Sequence, residues 1–101
     1  FGWIAAGLVT GERIAQALVE RRLAACVSLT APIRSIYRWR DAVESAAECL
    51  LIIKTTTGRY ADLETAIRSL HPYELPEILA VPVSNGLPAY LRWVDECTHD
   101  S

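Results

Sequence analysis

A chain of 101 residues is long enough for one domain and too short for a second. Its 10 basic and 12 acidic residues give a net charge of −2, which leaves no cationic field to hold a phosphate backbone and argues against a nucleic-acid partner. With 51% apolar and 22% charged residues the composition is globular with an apolar surplus, and in so small a domain that surplus either forms surface patches or is covered by another copy.

Residues 3–10 form an apolar run between Gly2 and Gly11 and predict a buried strand. The run is well short of the roughly 20 residues that span a bilayer and lacks the basic start and cleavage pattern of a signal peptide, so no membrane segment is expected. The first residue is Phe rather than Met, which points to residues preceding it. Residues 12–23 predict a helix: Ile14, Leu18, Ala15, Val19 and Leu23 make an apolar stripe, while Arg13, Gln16 and Glu20 face away. From 26 to 40 the pattern becomes alternation. Ile33, Ser35, Tyr37 and Trp39 point one way, and Arg34, Ile36, Arg38 and Arg40 the other, with a bend expected at Pro32. Residues 41–45 read as a polar reversal and 48–55 as the returning strand, giving a long β-hairpin. A second helix is predicted from 58 or 59 to 70, capped by Thr57 and stopped by Pro72. Residues 75–83 read as an edge strand because Pro76 and Pro82 cannot donate to a ladder. Ser84, Asn85 and Gly86 make a turn, and 88–96 a final helix with Pro at its start.

The order β-α-β-β-α-β-α over a single domain, residues 1–101, is that of an α+β, ferredoxin-like split βαβ sandwich: an antiparallel sheet with two helices on one face and an extra C-terminal helix. Residues 49–53 and 78–83 read as strands buried on both faces, although two helices cover only one side. A second or third copy is the simplest cover for the other.

The densest polar cluster is Leu70-His71-Pro72-Tyr73-Glu74-Leu75-Pro76-Glu77-Ile78, where an imidazole, a phenol and two carboxylates sit on a proline-shaped turn that can hold a metal or a polar ligand, or simply bond locally. No CxxC, HxxxH or HExxH occurs, so a structural zinc site is not expected. Loose binding of a thiophilic ion such as copper through Cys26 or His71 fits the chemistry of thiolate and imidazole, against the alternative that Cys26 is a small buried hydrophobe. The odd count of three cysteines, Cys26, Cys49 and Cys97, suits a reduced, cytoplasmic protein. Tyr37 and Trp39 with Lys54, the chain's only lysine, can form an anion pocket or be sheet packing with a solvated ammonium. No nucleophile elbow, P-loop or dinucleotide fingerprint is present, and His71 with Glu74 as an acid–base pair rests on adjacency alone, so no enzymatic activity is expected.

Five segments in order carry a resemblance: I-A-x-x-L-V-E-x-R-L-A-A-C-V over 14–27, S-I-Y-R-W over 35–39, L-L-I-I-K-T over 50–55, L-H-P-Y-E-x-P-E-I over 70–78, and Y-L-x-W over 90–93. The chain closely resembles the CutA divalent-cation tolerance family. The resemblance implies a ferredoxin-like sandwich assembled as a homotrimer and similar to the PII signal-transduction proteins. It also implies a role in tolerance to copper or other divalent cations without catalysis. On this resemblance Cys26 matches a thiol implicated in copper binding, and His71 the imidazole of the H-P-Y turn. Tyr37, Trp39, Lys54, Tyr73, Glu74 and Glu77 match motif positions associated with the cleft between subunits. An alternative reading is a small-molecule sensor binding an anionic metabolite in those clefts. Two departures from the family pattern stand out. Position 41 is Asp where Gly is usual, and only three residues separate Thr10 from Ile14, so the loop expected between first strand and first helix is either lost or absent from this chain.

Overall fold

A 13-residue strand organises the protein. In the computed structural model, which describes residues 2–6, 8–70 and 78–99, β4 (Ala42–Lys54) pairs antiparallel with β1 (Gly2–Ala6) on one side and with β2 (Cys26–Leu29) and β3 (Ile33–Trp39) on the other. β5 (Leu79–Ala80) pairs antiparallel with β1, giving the order β2-β4-β1-β5. This is the predicted split βαβ arrangement, with α1 (Leu8–Glu20) between β1 and β2, α2 (Tyr60–Leu70) between β4 and β5, and α3 (Pro88–Cys97) after the sheet.

Because side chains alternate along a strand, β4 divides its residues between two faces. Cys49, Leu51 and Ile53 point to the helices and are 1%, 0% and 1% exposed, in one core with Ile14, Leu18, Leu63 and Ile67. Leu50, Ile52 and Lys54 point to the opposite face and are only half-buried.

Several boundaries differ from expectation. The first strand ends at Ala6 rather than at 10, and residues 8–10 belong to α1. Gly11, Ile14, Ala15 and Leu18 are the buried residues of this helix, on a 3.6-residue period that governs this stretch more strongly than its overall apolarity. Thr10 is therefore a residue of the first helix. α1 ends at Glu20, not at 23. Leu23 is buried as part of the cap: its N–H donates to the Leu18 carbonyl at 2.9 Å while Arg22 takes a φ of 58°. That is the six-to-one bond of a Schellman motif, with an arginine where glycine is usual.

The expected strand over 26–40 is two strands, β2 and β3, parted at residues 30–32 around Pro32, as its missing donor requires. The hairpin reversal is tighter than the predicted 41–45: Trp39 pairs with Ala42, and only Arg40 and Asp41 turn the chain, with φ of 49° and 69°. Two consecutive left-handed residues match the twist of a two-residue hairpin. Asp41 therefore occupies a position where glycine carries no steric cost. Thr57 does not cap α2, since it lies in a 3-10 turn (Thr57–Arg59) that leads into the helix. Of the predicted strand over 75–83, residues 75–77 lie outside the described residues, and β5 occupies Leu79–Ala80 of the rest. Ala80 lies opposite Gly2 in the ladder with β1, and Pro82, two residues on, has no N–H to donate. Val81 and Val83 are 41% and 42% exposed, so 78–83 is not buried on both faces within one protomer.

Considerable apolar surface stays uncovered. Ile36 and Val43 on the hairpin and Leu87 at the start of α3 are 72%, 68% and 70% exposed, and α3 buries only Val94 together with Thr98 at its end. No helix among the described residues is long and apolar enough to cross a membrane.

Candidate functional site

The face of the sheet opposite the helices gathers the chemically active side chains. β2 and β4 align Cys26 directly opposite Lys54, and Ser28 opposite Ile52. Period-two alternation puts Cys26, Ser28, Ile52 and Lys54 on one face. The Lys54 ammonium reaches back along β2, donating to the Ser28 hydroxyl at 2.5 Å and to the Cys26 sulfur at 3.8 Å. Cys26 and Lys54 are half-buried and Ser28 is exposed. The cluster is thus open to small reagents while its lysine is held in a defined direction.

Tyr37 and Trp39 occupy the same face of β4's other half, opposite Glu44 and Ala42. The Arg40 guanidinium lies over the Trp39 ring, 5.4 Å from its centroid, which is cation–π distance. Lys54 is not part of this group. Twelve residue steps of continuous strand run from Ala42 to Lys54, about 40 Å at the rise of an extended chain. The predicted grouping of Tyr37, Trp39 and Lys54 therefore does not exist within one protomer, although all three share a sheet face. His71, Tyr73, Glu74 and Glu77 lie outside the described residues.

Among the described residues no group of three or more His, Cys, Asp or Glu side chains could hold a metal ion. The three cysteines are free and far apart in role: Cys49 is sealed in the core, Cys97 is half-buried on α3, and Cys26 lies beside an ammonium. A resident metal at Cys26 would have to replace a positive charge with another, so this donor set does not fit one. Ser28 escaped the sequence reading as the partner of Lys54. Cross-strand register alone brings them together, and register is not written in either segment.

A second concave feature is a groove of about 940 Å³ between the end of β4, α2, the segment after β5, and α3. Its walls include Leu63, Leu79, Val81, Tyr90, Leu91 and Val94. The sequence signal for it was Pro82, which cannot donate to a ladder and follows β5.

The family model of the CutA1 divalent ion tolerance protein matches residues 5–97. The divalent-cation tolerance protein CutA of Thermus thermophilus is 48% identical, over 84% of this chain and 82% of its own. Protein CutA of the mouse is 44% identical over 96% of this chain, which spans 58% of the mouse protein's length. Among solved structures, the divalent cation tolerance protein Cut A1 from Thermus thermophilus superposes with a TM-score of 0.95, at 42% identity, covering 97% of this chain and 96% of that one. The PII-like protein CutA from Nostoc in apo form gives a TM-score of 0.91, at 41% identity, with 97% and 95% covered. A family match over residues 5–97, together with superposition on solved CutA structures over nearly the whole chain, places this chain in the CutA1 divalent ion tolerance family.

Proposed function

We propose that the chain serves divalent-cation tolerance as a non-catalytic homotrimer in a reducing compartment such as the cytoplasm. In this reading a thiophilic cation such as copper is contacted transiently, through Cys26 and His71, and is not held in a resident site. The supporting observation is the accessible Cys26 thiol on the open sheet face of a chain whose relatives are named for cation tolerance. Trimer formation would cover the apolar surface that a single protomer leaves on the hairpin and α3. Copper titration of the wild type against Cys26→Ala and His71→Ala tests the contact. Reduced stoichiometry in either variant supports it, and unchanged stoichiometry in both removes these ligands.

Lys54 favours a second reading, a PII-like sensor of an anionic metabolite. Its ammonium is anchored by Ser28 on the open face, and charge attracts an anion there more readily than a cation. Because Lys54 and Trp39 stand about 40 Å apart along β4, a pocket using both must take them from different subunits. Glu77 would join such a cleft. A thermal-shift screen separates the readings: nucleotides or carboxylates that raise the melting temperature while copper does not would select the sensor.

A further inference from the structure

We propose that Cys26 and Lys54 form a reversible covalent redox link, in which the lysine nitrogen captures the oxidised cysteine sulfur. Three observations carry this. The two residues are direct cross-strand partners, which holds their backbones in fixed relation. The Lys54 nitrogen points at the Cys26 sulfur from 3.8 Å and is steadied by Ser28. Neither residue is sealed within the protomer, where a peroxide can reach the thiol.

The chemistry balances in two steps. The Cys26 sulfur attacks one oxygen of hydrogen peroxide. The O–O bond breaks, the sulfur loses two electrons to become a sulfenic acid, and the second oxygen leaves as water. Lys54, having released one proton to solvent, then uses its nitrogen lone pair to attack that sulfur. The S–N bond forms, the S–O bond breaks, and the hydroxide leaves as water with a proton taken from the nitrogen. The product is a sulfenamide two hydrogens lighter than the reduced pair. A sulfenic acid condenses with a nearby nitrogen in the same way that it condenses with a resolving thiol. In this chain Lys54 stands in for that second thiol, because Cys49 is buried and Cys26 has no cysteine beside it among the described residues. An added thiol attacks the sulfur and releases the amine, leaving a mixed disulfide on Cys26, and a second thiol attacks that disulfide and frees Cys26, so that two added thiols are oxidised to one disulfide as the link is reduced.

That Lys54 is the only lysine makes the test clean. The full chain is treated with hydrogen peroxide, digested with trypsin and mapped by mass spectrometry, with and without a reducing thiol. A sulfenamide blocks cleavage after Lys54, so the expected product is residues 23–34 joined to residues 41–59, two hydrogens lighter than their sum and released by thiol. A disulfide from Cys26 to Cys49 would instead join 23–34 to 41–54, with cleavage after Lys54 intact, and would overturn the proposal. In Lys54→Arg, which keeps the positive charge and the donor to Ser28, the linked species is expected to be lost and Cys26 to proceed to sulfinic and sulfonic acids. Equal over-oxidation of Cys26 in the wild type and in Lys54→Arg, or no reaction of Cys26 in the wild type, would also overturn it.

Discussion

Gly11 faces Leu51 so closely that a β-carbon at position 11 would stand 3.2 Å from a terminal methyl of Leu51 and 3.2 Å from one of Leu29. The first helix therefore lies on the sheet through a backbone contact. Replacing Gly11 by Ala gains about 1 kcal/mol of helix propensity but crowds two core leucines, so near-neutral stability is expected. Gly11→Val adds branching at the contact, and overpacking of this kind costs about 1–3 kcal/mol. Denaturant midpoints of the two variants check this, and a Val variant as stable as the Ala variant would mean that the helix can lift off the sheet at no cost.

Core truncation supplies the reference for that comparison. Leu51 is fully buried between α1 and α2, and Leu51→Ala should cost about 2–5 kcal/mol, by lost transfer energy and the cavity left behind. Ile52 is its neighbour on the open face, so Ile52→Ala should cost less in a dissociated protomer. Equal losses would show that the open face is as well packed as the core.

Two non-glycine residues in left-handed conformation can be relieved. Arg22 caps α1 at φ 58° and Asp41 turns the hairpin at φ 69°. Glycine adopts such angles without steric strain, and non-glycine residues pay roughly 1–2 kcal/mol there, partly returned by the greater freedom of unfolded glycine. Arg22→Gly and Asp41→Gly should each raise the denaturant midpoint modestly, with additive effects because the sites are far apart in the fold. A fall in either midpoint would mean that the side chain makes contacts worth more than the strain.

These two positions also show how far the sequence could be read. Hydrophobic spacing over 14–18 and 60–70 located both helices that cover the sheet, and alternation over 33–39 located the hairpin, because burial on one face leaves a periodic trace. The cap at Arg22 left none, since arginine is not a residue that left-handed geometry selects, and the reversal was legible over 41–45 but not its tight two-residue form at Arg40 and Asp41. Pro32 and Pro82 were legible as breaks in pairing, but the length of pairing around them depends on neighbouring strands. At the candidate site, Cys26 and Lys54 were visible as residue types, while their alignment came from β2–β4 register over an intervening 27 residues. Tyr37 and Trp39 looked close to Lys54 only because the chain doubles back; on the sheet the hairpin carries them away from it.

The uncovered surface of hairpin and α3 leads to a prediction on assembly. Ile36, Val43 and Leu87 are each more than two-thirds exposed in the protomer, and contiguous exposed apolar area on a small domain marks an interface. Light scattering should report about three times the 11.2 kDa of the chain. Ile36→Glu combined with Val43→Glu should lower that mass, and a wild-type mass near that of one chain would remove the trimer.

Tyr60 carries a hydrogen bond that alkali removes. Its hydroxyl donates to the Glu64 carboxylate at 2.9 Å, one turn along α2. That hydrogen bond, then burial, then the nearby negative charge raise the phenol's pKa above its ordinary value of about 10. A group whose folded pKa is raised binds its proton more tightly in the native state, so its contribution to stability is fully present below the unfolded value and is lost as pH rises through the folded one. Glu64→Ala removes the partner. The wild type should therefore be more stable than the variant at neutral pH, with a gap that is constant up to about pH 10 and closes above it. Denaturant midpoints across that range, with ultraviolet titration of the phenolate against Tyr60→Phe to assign the group, measure both quantities. A gap that stays constant into strong alkali would show that Glu64 stabilises α2 by some route other than this hydrogen bond.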